Sequence, residues 1–363
     1  VPQFSNSSVT EYLSRLFGQP VHVLGLTLIG EVSSGDSIKT YGYGKPILVD
    51  YRLEGKEARC AVLHTTGPSP FGHEEMADRA QLLLWSHQAF NRLPNHVRSL
   101  DVGAFRPTGS LESLGDAEEF FLLTEYAKGT GYNRDLDQLR DSDVLPDLDV
   151  ARADALCDYL IDIHRREGPD AGLYRRRIRE LVGHGECIMG LIDAYPPHPL
   201  IPASLLEEIE QLCVKWRWKL KGRVHRLRQV HGDFHPWNIL FEDGTTRFHV
   251  LDRSRGEWGD PADDVSSLTA NYLFFSLQRH GCVEGGLGEL FQRFWDRYLK
   301  GSGDREMLEV VAPFFAFRGL VMASPVWYPA LADDVRTKLL RFIVALLKDD
   351  RFNPAEVNGY LGA

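Results

Sequence analysis

Cysteine is scarce and scattered. The 363 residues hold five, Cys60, Cys157, Cys187, Cys213 and Cys282, and no pair has C-x-x-C spacing. Neither a zinc knuckle nor a redox motif is supported, and a reduced, cytoplasmic setting is expected. Basic charge is also short: 41 Lys and Arg against 51 Asp and Glu give a net charge of −10. That leaves no electrostatic footprint for nucleic acid. The acidic balance suits a cationic small substrate, and a solvated acidic surface equally well. Long apolar runs are missing too. The most apolar late segment, VVAPFFAFRGLVMASPVW, is broken by Arg318 and two prolines, which argues against a membrane span. The opening VPQFSNSSVTEYL lacks the basic-then-apolar pattern of an export signal. No repeat or low-complexity tract is visible, which disfavours a solenoid. What remains, 43% hydrophobic and 25% charged residues, is ordinary for a globular protein long enough for two cores.

The first third reads as strands. VHVLGLTLIG, KPILVDYRL and ARCAVLHTT are β-rich runs separated by Gly-containing turns. HEEMADRAQLLLWSHQAFNRL follows as a helix, with Met76, Ala80, Leu83 and Leu84 on one face. EEFFLLTEYAKG reads as a further strand. From about Asp149 helical spacing dominates, in DVARADALCDYLIDIHRR, PASLLEEIEQLCVKWRWKL and RTKLLRFIVALLKDD. The expected α+β architecture is two-lobed: a strand-rich N-terminal lobe over residues 1–127 and a mostly helical lobe over 128–363. A cleft between them is the default ligand site.

The densest polar stretch is HGDFHPWN, His231 to Asn238. Ile239–Phe241 and Phe248–Leu251 flank the turn residues EDGT and predict an antiparallel hairpin. Asn238 enters that hairpin and Asp252 leaves it, so the two should be neighbours. Asp233 sits on the loop feeding it. Two carboxylates and an amide oxygen at one point suit a hard cation such as magnesium. A carboxylate left off the metal can accept a proton from an attacking hydroxyl. Phosphoryl transfer at a protein-kinase type of site divides the labour this way, with an Asp-x4-Asn loop ahead of a metal-binding Asp.

HGDFHPWN followed by VLDRSRGEWGDPADDVSSL resembles the aminoglycoside phosphotransferase and choline kinase family of small-molecule kinases. The resemblance implies a protein-kinase-like fold, ATP as donor and magnesium as cofactor. It implies Asp233 as catalytic base and Asn238 and Asp252 as magnesium ligands. FFLLTEYAKG resembles the hinge strand, placing the nucleotide base near Leu123, Glu125, Tyr126 and Ala127. GDPADDVS resembles the family's acidic stretch, with Asp260 and Asp264 at its two positions and expected near the acceptor. LIDIHRR resembles the helix that precedes the catalytic loop. The likeness departs in three places: His64 stands where the phosphate-gripping lysine is expected, Arg79 falls at the place of its glutamate partner unless a small shift gives that place to Glu75 or Asp78, and the Gly-containing loop from Gly30 to Gly44 is long.

The expected activity is transfer of the γ-phosphoryl group to a small-molecule hydroxyl, with a nucleotide and an acceptor as partners and neither nucleic acid nor membrane. The acidic residues beyond Asp260 suit a cationic or polyhydroxy acceptor. Other readings stay open. With no lysine on the third strand, the chain suits a catalytically weak nucleotide-binding protein that acts by interaction. His231 and His235 with Asp233 suit zinc superficially, or His231 is a structural histidine holding the loop. His64 is either a phosphate contact or an ordinary strand residue.

Overall fold

A computed structural model describes residues 4–29, 44 and 46–362, which divide into two units, Val1–Thr124 and Glu125–Ala363. The long Gly-containing loop lies, apart from Gly44, outside the described residues. In the first unit α1 (Asn6–Phe17) starts where the Ser5 hydroxyl accepts from Ser8 N and stops at Gly18, whose φ of 64° suits glycine. The three expected strands form: β1 (Val21–Leu28), β2 (Ile47–Leu53) and β3 (Ala58–Leu63). They make an antiparallel sheet in that order. Val9 and Leu13 of α1 pack with Val21, Val49, Tyr51 and Leu53 as its core.

The next helix, α2 (Met76–Phe90), begins with a reciprocal cap between Glu75 and Asp78. Its expected apolar face is not buried within this unit: Leu83 and Leu84 are half-covered, and Met76 and Ala80 are exposed. A short hairpin follows, β4 (Gly103–Phe105) with β5 (Leu111–Ser113), which the sequence did not announce. The strand expected at EEFFLLTEYAKG is absent; residues 117–128 have no regular structure. Phe121, Leu122, Leu123 and Tyr126 are between 87% and 91% exposed. β-propensity is expressed only where a neighbouring strand takes up the backbone ladder. Here none of the described residues does so.

The second unit opens with β6 (Thr130–Gly131) and α3 (Tyr132–Ser142), a helix that the polar composition of its segment concealed. Then come α4 (Asp147–Ile163), α5 (Ala171–Gly183), α6 (Ile188–Asp193) and α7 (Ala203–Leu220). The loop region holds β7 (Arg228–Gln229), the hairpin β8 (Ile239–Phe241) and β9 (Phe248–Val250), and β10 (Trp258–Gly259). Five helices complete it: α8 (Pro261–His280), α9 (Gly285–Ser302), α10 (Ala312–Ala323), α11 (Asp333–Lys348) and α12 (Val357–Leu361). Every residue of α8 from Pro261 to Leu277 is buried, as befits a helix enclosed on all sides. The neighbouring core is aromatic, with Phe291, Phe294, Trp295, Tyr298 and Phe315 fully covered. α10 is the apolar run interrupted by Arg318. Among the described residues no helix is long and apolar enough to cross a membrane. All five cysteines are free.

Candidate active site

The expected hairpin forms, pairing Ile239 with Val250 and Phe241 with Phe248. Its mouth is closed by a bond from Leu251 N to Asn238 O at 2.9 Å. Leu251 is thus the direct cross-strand partner of Asn238, and Asp252 comes one residue later. Asp252 adopts the left-handed region, φ 53°, which is uncommon for a residue with a side chain and often marks functional loops.

The HGDF loop is held by α8 from below. Asp264, fully buried, accepts from His231 N at 2.8 Å and Gly232 N at 2.7 Å. Its Oδ2 also meets His164 Nε2 at 3.1 Å, and His164 Nδ1 meets the Tyr298 hydroxyl at 2.8 Å. Burial opposes ionisation of Asp264, but the bonds from His164 and His231 outweigh it and hold the carboxyl below its usual value. Asp260 caps α8 through Ala262 N at 3.0 Å. It also takes two 2.8 Å bonds from Arg226 and one of 2.9 Å from the Tyr174 hydroxyl. Both carboxylates are 0% exposed. This departs from their expected place at an acceptor: they are scaffolding for the loop, with their oxygens already engaged by the protein. Gly232 has φ 85°, and a Cβ there would lie 2.9 Å from Arg177 Nη2 and 3.3 Å from Arg255 Cβ. Only glycine suits that position.

The Asp233 side chain is mostly enclosed and does not stand free. Arg318 of α10 donates from Nη1 to its Oδ1, from Nη2 to Gly232 O at 3.2 Å, and from Nη2 to Asp263 Oδ1 at 3.0 Å. Arg177 Nη2 meets the other oxygen of Asp263 at 3.3 Å. The result is a buried chain of alternating charge, Arg177, Asp263, Arg318, Asp233. His235 Nε2 lies 3.6 Å from Asp233 Oδ2, beyond good hydrogen-bond length. Burial would raise the Asp233 carboxyl; the His235 ring and the guanidinium charges of Arg318 and Arg255 outweigh burial and hold it well below the carboxylate range.

Asn238 Nδ2 donates to Asp233 O at 3.1 Å and approaches His235 Nε2 at 3.3 Å. Its amide oxygen has no donor among the described residues and is left as an acceptor. The Asp252 carboxylate is exposed and has no ion pair among the described residues. A carboxylate and an amide oxygen are donor types that magnesium accepts, completing its shell with water and phosphate oxygens. The zinc alternative fares worse: among the described residues no three His, Cys, Asp or Glu side chains are grouped to hold a metal ion. Burial pushes the His231 imidazole down, toward its neutral form, and its Nδ1 accepts from Asp233 N at 3.3 Å. That suits a structural histidine.

The residues expected to meet the nucleotide are not gathered into one element. His64 follows the end of β3 and is exposed, and Leu123 is an exposed residue of the first unit. Glu125, Tyr126 and Ala127 open the second unit without forming a strand. Sequence reasoning missed Arg318, Asp263 and Arg177. One signal was present: a lone arginine inside FFAFRGLV needs a buried acid to accompany it.

The chain belongs to the phosphotransferase enzyme family, whose model matches residues 86–310, more than half of its length. No curated protein sequence matches it significantly. Solved structures resemble it distantly. An amicoumacin kinase in complex with AMP-PNP, Ca2+ and Ami is 15% identical with a TM-score of 0.42, over 88% of this chain and 91% of that one. A glucosamine kinase is 13% identical with a TM-score of 0.35, over 95% and 90%. A choline/ethanolamine kinase family protein from Mesorhizobium loti is 14% identical with a TM-score of 0.38, over 86% and 88%. The family match, not these distant likenesses, places the chain.

Proposed function

We propose that this phosphotransferase moves the γ-phosphoryl group of ATP to a hydroxyl of a small molecule, with Asp233 at the acceptor and Asn238 and Asp252 as ligands for magnesium. The observation that supports this most is the β8–β9 hairpin, whose mouth carries Asn238 and Asp252 and whose feeding loop carries Asp233. Magnesium, when bound, would offset negative charge on the phosphates. Asp252 and the Asn238 amide oxygen would hold it. Asp233 would receive the acceptor hydroxyl on Oδ2, because Oδ1 is engaged by Arg318. Its depressed basicity suits a role in which orientation dominates and the proton leaves late, as a loose transition state allows.

The nucleotide-binding roles of His64, Leu123, Glu125, Tyr126 and Ala127, and the division into lobes at 127 and 128, remain part of this proposal. A non-catalytic binding protein is not favoured, because pure binding has no use for an enclosed, ion-paired Asp233 on the loop that feeds the hairpin. The test is magnesium-dependent ATP consumption over a panel of sugars, amino alcohols, hydroxy acids and nucleosides. Asp233→Asn should lose turnover by about a hundredfold or more while keeping affinity for Mg-AMP-PNP. Equal turnover in the variant would remove Asp233 from the reaction.

A further inference from the structure

Arg255 is the unbalanced charge beside Asp233. Most neighbouring charges are matched: Arg318 has Asp233 and Asp263, Arg177 has Asp263, and Arg253, which has no carboxylate partner among the described residues, donates to the carbonyls of Val230 and Glu257. Asp264 faces His164, and Asp260 faces Arg226. Arg255 has no carboxylate within ion-pair distance among the described residues. Its Nη1 donates to Cys187 Sγ at 3.3 Å, and burial pushes that thiol up, so it supplies no countercharge. Its guanidinium lies 4.7 Å from the Phe317 ring centroid. Its Nε is buried without a partner. A half-buried guanidinium is always charged and favours a planar or tetrahedral oxyanion. Leaving it unpaired is costly unless a ligand supplies the anion.

The place of this charge identifies which ligand. Arg255 Cβ packs against Gly232, next to Asp233, where the acceptor hydroxyl is proposed to sit. Its other neighbours, Cys187 and Phe317, stand at the start of α6 and within α10. The acidic side chains expected from the sequence near the acceptor, Asp260 and Asp264, are sealed within the protein. We infer that the acceptor carries an oxyanion group, a carboxylate or a phosphate, and that Arg255 receives it while Asp233 receives the hydroxyl. This rests on the phosphotransfer reading above and differs from the cationic or polyhydroxy acceptor that the acidic residues suited.

The experiment compares matched acceptors with and without an anionic group, glycerate and glycerol 3-phosphate against glycerol, and gluconate against glucose, for wild type, Arg255→Lys and Arg255→Gln. The expected result is preferential turnover of the anionic members. Arg255→Gln should erase that preference by raising their KM about tenfold or more, the value of a charge-assisted bond, while Arg255→Lys keeps part of it. Mg-AMP-PNP affinity should not change in either variant. Equal use of charged and neutral members by wild type overturns the inference. So does an equal fall in kcat for every acceptor in Arg255→Gln, which would put Arg255 on the transferred phosphoryl group. If no acceptor is consumed, the phosphotransfer reading fails, and calorimetry with inorganic phosphate alone decides the subsite. Binding that Arg255→Gln abolishes supports an oxyanion site; binding that is absent, or indifferent to the substitution, overturns it. Arg255→Lys, which keeps the charge, and a melting curve for each variant separate loss of binding from loss of fold.

Discussion

Arg318→Met is the most informative single perturbation of the buried scaffold. Arg318 is 5% exposed, and so is its partner Asp263. Its guanidinium makes three bonds, to Asp233, Gly232 and Asp263. Methionine would fill much of the apolar path of the side chain, so little of the effect should come from a cavity. What remains is Asp263 supported only by Arg177 at 3.3 Å, and Asp233 without its main countercharge. Breaking one side of such a pair costs about 3–5 kcal/mol, because the surviving charge is left buried. Removing both charges costs much less, so Arg318→Met with Asp263→Asn should recover part of the loss. The assay is urea unfolding of the 363-residue protein, followed by a probe in the second unit because two units need not unfold together. A loss below about 1 kcal/mol, the scale of an exposed pair, would refute the buried chain. So would a double variant weaker than the single by the full cost of Asp263→Asn.

Asp252→Ala should shift the magnesium concentration needed for Mg-AMP-PNP binding upward more than Asn238→Ala does, since loss of a charged ligand costs more than loss of a neutral oxygen; equal metal dependence in Asp252→Ala and wild type would remove the hairpin mouth from metal binding. Stability should fall on acidification in two windows. His231 is lowered by burial, so its contribution is complete above the unfolded histidine value of about 6.5 and declines as pH falls toward the folded value. Asp233 and Asp264 are also lowered; their contributions are complete above about pH 4, the unfolded aspartate value, and decline as pH falls below it. Asp264→Asn should therefore be less stable at neutral pH and lose less on acidification, and a pH–melting profile parallel to wild type would contradict this.

Local features are legible wherever short-range chemistry decides structure. The hairpin at Ile239–Phe241 and Phe248–Val250 can be read because turn residues and alternating strands sit within a dozen positions of each other. β1 to β3 and the long amphipathic helices are legible on the same ground. The strand expected through Phe120–Ala127 fails for the opposite reason. Its apolar content is high, but a strand needs a neighbour, and the sequence of one segment does not specify its neighbour. α3 is hidden by polarity, although Tyr132, Leu136 and Leu139 are buried at helical spacing, with Asp135 bonded to Arg152.

The same distinction explains the site. Asp233, Asn238 and Asp252 lie within twenty residues, so spacing alone is enough to group them. Arg318 arrives from a helix 85 positions beyond Asp233, and Arg177 from one that precedes it. No spacing rule links them. Their joint effect is to take one oxygen of Asp233 out of use and to occupy Asp263. A motif can thus be read as a set of polar residues while its electrostatics are set by parts of the chain outside it. Composition was compatible with a cationic acceptor and equally with a solvated acidic surface. Once Asp260, Asp263 and Asp264 are each matched to a histidine or arginine, the charge left over beside Asp233 is positive. Net charge describes the whole chain, whereas a ligand meets only the groups that the fold leaves unpaired; Arg255 is one such group, and the oxyanion acceptor is inferred from it.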